Sequence, residues 1–288
     1  TPLQALRRLE EGGEALARIT VIEGWNRWDI AAALARTPKL NLRDSAQALS
    51  LLNNTKEIHQ LAPTASSLEG YLYPDTYFID VHTSAAELVS QMVSRFKNVW
   101  QNKLQERARN LGLTTQQVVT IASLIETEAK LSQDRAIVSS VIYNRLKKGI
   151  PLAIDSTIVY ASKAAGAWRN DGKVYQSDID RKSPYNTRRV KGLPPGPIGS
   201  PGLPSLEAAL NPARTDYIYY VRDPARNDGA HNFYSDAAGF EKGVQALRQW
   251  ERRRDLREAA NHLVPKMPAS RPPAAKEAGS KQPQAHPA

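Results

Sequence analysis

The chain has 288 residues, a hydrophobic fraction of 41% and a formal net charge of +10, enough length and apolar content for one large or two modest domains with a buried core. The basic balance favours anionic partners such as nucleic acid, acidic glycans or a lipid surface without choosing among them. The lack of cysteine excludes disulfides and thiolate metal sites, no run approaches the ~18 consecutive apolar residues of a membrane span, and no signal-peptide pattern opens the chain.

The first residue is Thr1 rather than a methionine, which predicts that a segment before it has been removed. Residues 1–16 predict a polar N-terminal helix, and Ile19-Thr20-Val21-Ile22 a short strand ended by Glu23-Gly24. Trp28, Ala31, Ala32 and Leu34 predict a short helix after a turn at Asn26. A loosely helical stretch carries Leu49, Leu51, Leu52 and Ile58, and a second strand is expected over Tyr71 to Ile79. Together these make a small α+β unit over 17–80. Ser84 to Leu111 predicts one long helix with Ala86, Val89, Val93, Phe96 and Trp100 on one side, closed by Gly112. Two more helices are expected, over Thr114 to Lys130 and over Arg135 to Lys147, so a second domain over 81–258 has a helical centre. After Gly149 the composition changes to turns and short strands, first in PLAIDSTIVY and then in the proline and glycine-rich loop Ser183 to Gly202. Ser205 to Leu210 reads as a short helix, Tyr217 to Val221 as a buried strand that His231-Asn232-Phe233 opens a partner for, and Ala237 to Arg257 as helix. Residues 259–288, rich in Pro, Ala, Lys and Gln, predict a disordered tail. Lys266, Arg271, Lys276 and Lys281 outnumber Glu277 there, so part of the net charge lies off the fold, and no nucleic-acid motif accompanies the rest. The fold class expected is α+β.

The stretch TTQQVVTIASLIETEAK, Thr114 to Lys130, carries the chemistry. Thr114 with Gln117 has the form of a capping box, and Val118, Ile121, Ala122, Ile125 and Ala129 form one apolar stripe. Glu126 falls at the margin of that stripe, and Glu128 is turned roughly 200° from it. Two readings stay open on periodicity: both acids are rim charges of an amphipathic helix, or Glu126, drawn partly out of water, is a proton donor near neutral pH.

Four separated stretches, EGYLYPDTYFI (Glu69 to Ile79), IASLIETEAK (Ile121 to Lys130), VIYNRLKKGIPLAIDSTIVY (Val141 to Tyr160) and SPYNTRRVKGLPPGPIGSPG (Ser183 to Gly202), resemble the endolytic murein transglycosylases of the MltG (YceG-like) type, over about Ile19 to Trp250. The resemblance implies an inner-membrane enzyme held by a single N-terminal transmembrane helix absent from this chain. It also implies a LysM-like subdomain over 17–80 and a YceG-like catalytic domain over 81–258 facing the periplasm. It further implies peptidoglycan glycan strands as substrate, cleaved between N-acetylmuramic acid and N-acetylglucosamine to leave 1,6-anhydro ends, with penicillin-binding protein synthases as partners. A wall-binding scaffold without catalysis is the alternative. The family's catalytic glutamate, in its Ala-Ser-hydrophobic-hydrophobic-Glu motif, corresponds to Glu126. Departures are Ile154-Asp155-Ser156-Thr157 where the family has Ser-Asp-Pro-Thr, Arg188 where it has tyrosine, and Gly229-Ala230-His231 where it has Gly-Gly-His.

A single carboxylate serves such a lytic reaction: protonated, it donates to the bridging oxygen, and it then takes the proton of the muramyl 6-hydroxyl as that oxygen closes on the anomeric carbon. No cofactor or metal is called for, and His59, His82, His231, His262 and His286 show no ligand spacing. Asp155 reads as a sugar ligand or as a turn cap; Tyr185, Asn186 and Thr187 as groove lining or as loop structure; Asn144 as an orienting group or a solvated one. His231 is a substrate contact or a satisfied core histidine, and Trp25 and Trp28 stack on sugars or pack in the core. Glu69 is expected to make a structural hydrogen bond.

Overall fold

The computed structural model describes residues 17–263 other than 81 and 227; the helix expected over 1–16 and the tail from 264 onward lie outside the described residues. The architecture is α+β, helices flanked by two separate two-stranded antiparallel sheets. In the first sheet β1 (Ala17–Thr20) pairs with β2 (Thr76–Ile79), Ile19 opposite Tyr77. Between them run α1 (Arg27–Ala35) and α2 (Ser45–Leu52). Each starts where a short polar side chain supplies the acceptor that orphaned N–H groups need: Asn26 accepts from the N–H groups of Trp28 and Asp29, and Asp44 from that of Gln47. The second strand is shorter than the expected Tyr71 to Ile79. Gly70, at φ +81°, turns the chain, Pro74 has no N–H to give a ladder, and Tyr71 is spent on the core.

The long helix expected from Ser84 to Leu111 is interrupted. α3 (Ala85–Val99) passes into a π-helical turn at Trp100–Leu104 before α4 (Gln105–Asn110), and Gly112 ends the run at φ +66°. The buried side of α3 is Ala85, Leu88, Val89, Met92, Val93 and Phe96, while Ala86 is exposed. Phe96, Trp100, Leu104 and Ala108 follow at steps of four. In an unbroken α-helix that spacing drifts about 40° around the axis at each step; the wider π turn brings all four back to the core.

Next come α5 (Thr115–Glu128) and α6 (Ser132–Lys148), the latter closed by Gly149 at φ +63°. The capping box on α5 is present, with Thr114 and Gln117 bonding each other's backbone. Residues Val118 through Ile125 are all buried, so α5 is enclosed on every side rather than along one stripe. Each of its five large aliphatic residues contributes about 1.5–3 kcal/mol by leaving water.

The DSTIVY part of PLAIDSTIVY starts the helix α7 (Asp155–Ala164), rather than the turns and short strands its β-branched residues suggest. After α8 (Gln176–Ile179), the Ser183 to Gly202 loop leads into α9 (Leu203–Leu210). That loop is a clasp. The N–H of Gly24 donates to the Ser200 carbonyl, the N–H of Ser200 to the Trp25 carbonyl, both at 2.8 Å, and the N–H of Ile198 to Ser123 Oγ at 3.1 Å. Gln116 on α5 reaches the Pro195 carbonyl at 2.7 Å. The second sheet pairs β3 (Tyr219–Arg222) with β4 (His231–Tyr234), Tyr220 opposite Phe233, and α10 (Ala237–Leu263) follows. Residues up to Leu247 form one compact unit; those from Arg248 form a second, described here as the remainder of α10, in which the Arg254 guanidinium lies 5.3 Å from the Trp250 ring.

Candidate active site

The last turn of α5 carries two carboxylates, and the 200° between them sends each into a different neighbourhood. Glu126, its side chain 6% exposed, faces Arg135 on α6 at 3.4 Å and accepts the N–H of Gly202 at 2.9 Å. Gly202 is the N-cap of α9, so this carboxylate sits where the helix offers unpaired N–H groups and partial positive charge. Both partners are obligatory donors. A proton on the carboxyl oxygen facing either of them would set donor against donor.

Glu128 is half-buried and meets hydroxyls. Tyr220 Oη donates to Oε2 at 2.9 Å and Ser156 Oγ to Oε1 at 3.2 Å; Ser156 Oγ also lies 2.9 Å from Thr127 Oγ1. Desolvation pushes the Glu128 carboxyl above the usual carboxylate range, and the charge of Asp155 adds to this, while the two hydroxyls pull the other way. The Tyr220 phenol is itself pushed well above its ordinary value, by burial first and then by Glu128, so it keeps its proton. Hydroxyls can turn from donor to acceptor, so this pair of partners tolerates Glu128 with or without a proton.

Behind Tyr220 the order continues. Its ring lies edge-on to His231, centroids 5.3 Å apart, and His231 Nδ1 is 3.2 Å from Asp134 Oδ2, which also accepts the His231 backbone N–H. His231 is therefore a partnered, largely buried histidine beneath the site. Asn144 donates to the carbonyls of Thr215 and Tyr217, stapling the segment that leads into β3 rather than pointing at solvent. Asp155, at the first position of α7, caps nothing; its Oδ1 accepts two bonds from Arg188, at 2.8 and 2.6 Å, on an exposed edge beside Glu128.

Asn186 and Thr187 correct the expectation that the loop presents them to a ligand. Both are fully buried. Asn186 donates to the carbonyls of Ile179 and Arg181, and Thr187 exchanges bonds with Thr157 and accepts the N–H of Ile154, so their polar groups are consumed in holding the loop on the end of α8 and on α7. Tyr185 is half-buried, its ring 4.7 Å from that of Tyr160. Glu69, expected to be structural, is buried; its carboxylate accepts the Arg27 N–H and the Tyr160 hydroxyl, each at 3.1 Å, and burial pushes it up to about 7.

Tyr220, Ser156, Arg135 and Gly202 were not singled out from sequence. Ser156, next to Asp155, and Gly202, at the end of the Ser183 to Gly202 loop, lay in stretches already marked; Tyr220 sits 92 positions from Glu128, inside a run that reads simply as a buried strand. Glu23, on the turn facing Gly202, is also raised, first by desolvation and then by the charge of Glu126, with Arg135 opposing.

Two carboxylates at the end of a buried helix, one held by fixed donors and one among hydroxyls, on an α+β scaffold clasped by a proline and glycine-rich loop, are the class of site this chain presents. The chain belongs to the YceG-like family, whose sequence pattern matches residues 1–246. It is 36% identical to the endolytic murein transglycosylase of Bacillus subtilis over 232 residues, 75% of this chain and 62% of that protein. It is 30% identical to that of Streptococcus pneumoniae over 243 residues, 76% of this chain and 44% of that protein. The chain thus spans less than two thirds of the length of these relatives. A crystal structure of a YceG-like protein from Listeria monocytogenes superposes with a TM-score of 0.68 at 29% identity, covering 83% of this chain and 80% of that one.

Proposed function

We propose that this chain carries the catalytic part of a lytic transglycosylase that cuts peptidoglycan glycan strands internally, between N-acetylmuramic acid and N-acetylglucosamine, and leaves 1,6-anhydro-muramyl ends. The observation that carries the reading is the unlike pair on α5, one carboxylate held by fixed donors and the other among hydroxyls that accept either protonation state. On that ground the proton donor is Glu128. Its proton passes to the bridging oxygen as the glycosidic bond breaks; the carboxylate so formed takes the proton of the muramyl 6-hydroxyl as that oxygen bonds to the anomeric carbon. No water enters, and the carboxyl ends as it began. Glu126, where the family motif puts the catalytic group, keeps Arg135 and the start of α9 in place in this reading, and is the alternative donor.

Such a substrate puts the domain on the wall-facing side of the cytoplasmic membrane. Anchoring by a helix outside this sequence and association with penicillin-binding protein synthases belong to the same proposal. Among the described residues no helix is long and apolar enough to cross a membrane.

The test is mass analysis of strand ends after incubation with purified peptidoglycan. Glu128→Gln is expected to lower the yield of anhydro ends by about 10²- to 10⁴-fold, the range for loss of one acid–base group, with Glu126→Gln well above it. The reverse order assigns the donor's role to Glu126. No anhydro ends from the unaltered chain, with glycan still bound, would refute the enzyme and leave a binding scaffold.

A further inference from the structure

Away from the carboxylates, a cavity of about 400 Å³ opens between α1 and the segment that follows α7, lined by Trp28, Asp29, Lys163, Gly166, Trp168 and Asn170. Lys163 is eight residues along α7 from Asp155, a rise of about 12 Å, so one helix joins this cavity to the edge of the proposed active site. Two indoles offer flat apolar faces in a concave site. The Trp28 ring is held by the Arg27 guanidinium over one face, 4.6 Å from its centroid, and by the tilted Tyr160 ring at 5.0 Å.

The charges in the cavity cancel. Asp29 Oδ1 is 3.2 Å from Lys163 Nζ, and its Oδ2 accepts the N–H of Asn26 in the cap of α1. An anionic ligand would have to compete with Asp29 for the ammonium, and a cationic one with Lys163 for the carboxylate. A neutral ligand competes with neither, yet finds the remaining ammonium protons, carboxylate lone pairs and the amide of Asn170 as hydrogen-bond partners beside the indoles. Flat rings with a few polar groups around them suit a neutral, polyhydroxylated ring.

We propose that this cavity is a second glycan subsite, binding an uncharged N-acetylhexosamine unit of the strand by stacking on Trp168 and Trp28 and by hydrogen bonds to the Asp29–Lys163 pair. It rests on the glycan substrate class proposed above but on none of its chemistry. The subsite holds a strand at a distance from the scissile bond, so that sugars beyond the cut contribute to binding.

The experiment uses the full chain carrying Glu128→Gln, with peptide-free glycan strands as probe and calorimetry as readout, comparing it with the same chain carrying Trp168→Ala or Trp168→Phe. Trp168→Ala is expected to weaken binding by about tenfold, as loss of one stacking face should, and Trp168→Phe to restore most of it, with thermal midpoints unchanged in both. The strands carry lactyl carboxylates and the chain is basic, so overall affinity falls with salt, but the ratio between parent and Trp168→Ala affinities should persist from low to high ionic strength, since the subsite engages no net charge. Equal affinity in the alanine variant, or a ratio between parent and alanine variant that vanishes at high salt, would overturn the subsite. Strand length in the same samples reports separately on catalysis: shortened strands with Glu128→Gln would count against Glu128 as donor and leave the subsite to stand or fall on the affinities.

Discussion

Replacing Glu69 with glutamine isolates one buried titration. Glu69 is 3% exposed and lies between the first turn of α1 and Tyr160 on α7. Desolvation raises its carboxyl from 4.5 to about 7, against the Arg27 N–H, the Tyr160 hydroxyl and the Arg27 charge. The folded chain therefore keeps a proton over about pH 4.5 to 7 that the unfolded chain has already released. The stability this confers is fully present below the unfolded value and is lost as pH rises through the folded one. At about 1.4 kcal/mol for each tenfold in proton affinity, the interval is worth about 3 kcal/mol. For a unit of this size, that is about 6–12 °C in thermal midpoint. Glutamine cannot titrate but keeps the shape of the protonated acid. Midpoints of both proteins, read by calorimetry from about pH 4.5 to pH 8, should thus diverge, with the glutamine variant gaining on the parent as pH rises. Parallel curves would show that Glu69 is ionised throughout, and that its partners outweigh its desolvation.

Tyr220→Phe removes a donor that favours ionised Glu128 while sparing the ring. The alkaline limb of the cleavage rate should move to higher pH, because Glu128 then holds its proton more tightly; a limb that stays in place would separate Tyr220 from the acid. Gly70→Ala places a Cβ 2.6 Å from Pro197 Cβ and 2.8 Å from Val119 Cγ1 at φ +81°. A left-handed alanine costs about 1–2 kcal/mol and overpacking about 1–3 kcal/mol, so the midpoint should fall by several degrees, and a change under about 2 °C would contradict the close approach of clasp and helix.

What the sequence made legible was local. The Thr114–Gln117 box, the Asn26 turn and the glycines at 112 and 149 mark element ends because capping is decided by residues a few places apart. The helix over Asp155–Ala164 was hidden because Thr157, Ile158 and Val159 are strand formers after a proline. What overrides them is tertiary: Thr157 is tied to Thr187 and Ile154, and Ile158 is buried. The π turn did leave a signal, the four-residue steps from Phe96 to Ala108, which a plain helix would not bury on one side. For the site, Glu126 and Glu128 were visible as a pair on opposite sides of one helix. Their characters were not, since those depend on Arg135, Gly202, Ser156 and Tyr220, brought in by other elements. Asn186 and Thr187 mislead for a related reason: polar residues in a proline-bounded loop suit a groove and a buried hydrogen-bond network equally well, and only the packing against α7 and the end of α8 decides.

That dependence also explains why two glutamates a single residue apart need not share a task. Moving a proton on or off Glu126 changes its bond to a guanidinium and to the start of α9, so the cost would be felt in the clasp and in α6. Moving one on or off Glu128 asks only that two hydroxyls turn, because Tyr220 and Ser156 can each reverse the direction of their bond. A group that must change state twice in each cycle is better placed where its hydrogen-bond partners can reverse direction. The difference between Glu126, held by fixed donors, and Glu128, set among hydroxyls, thus follows from the same 200° of helix, applied to two sets of neighbours that differ in whether their hydrogens can move.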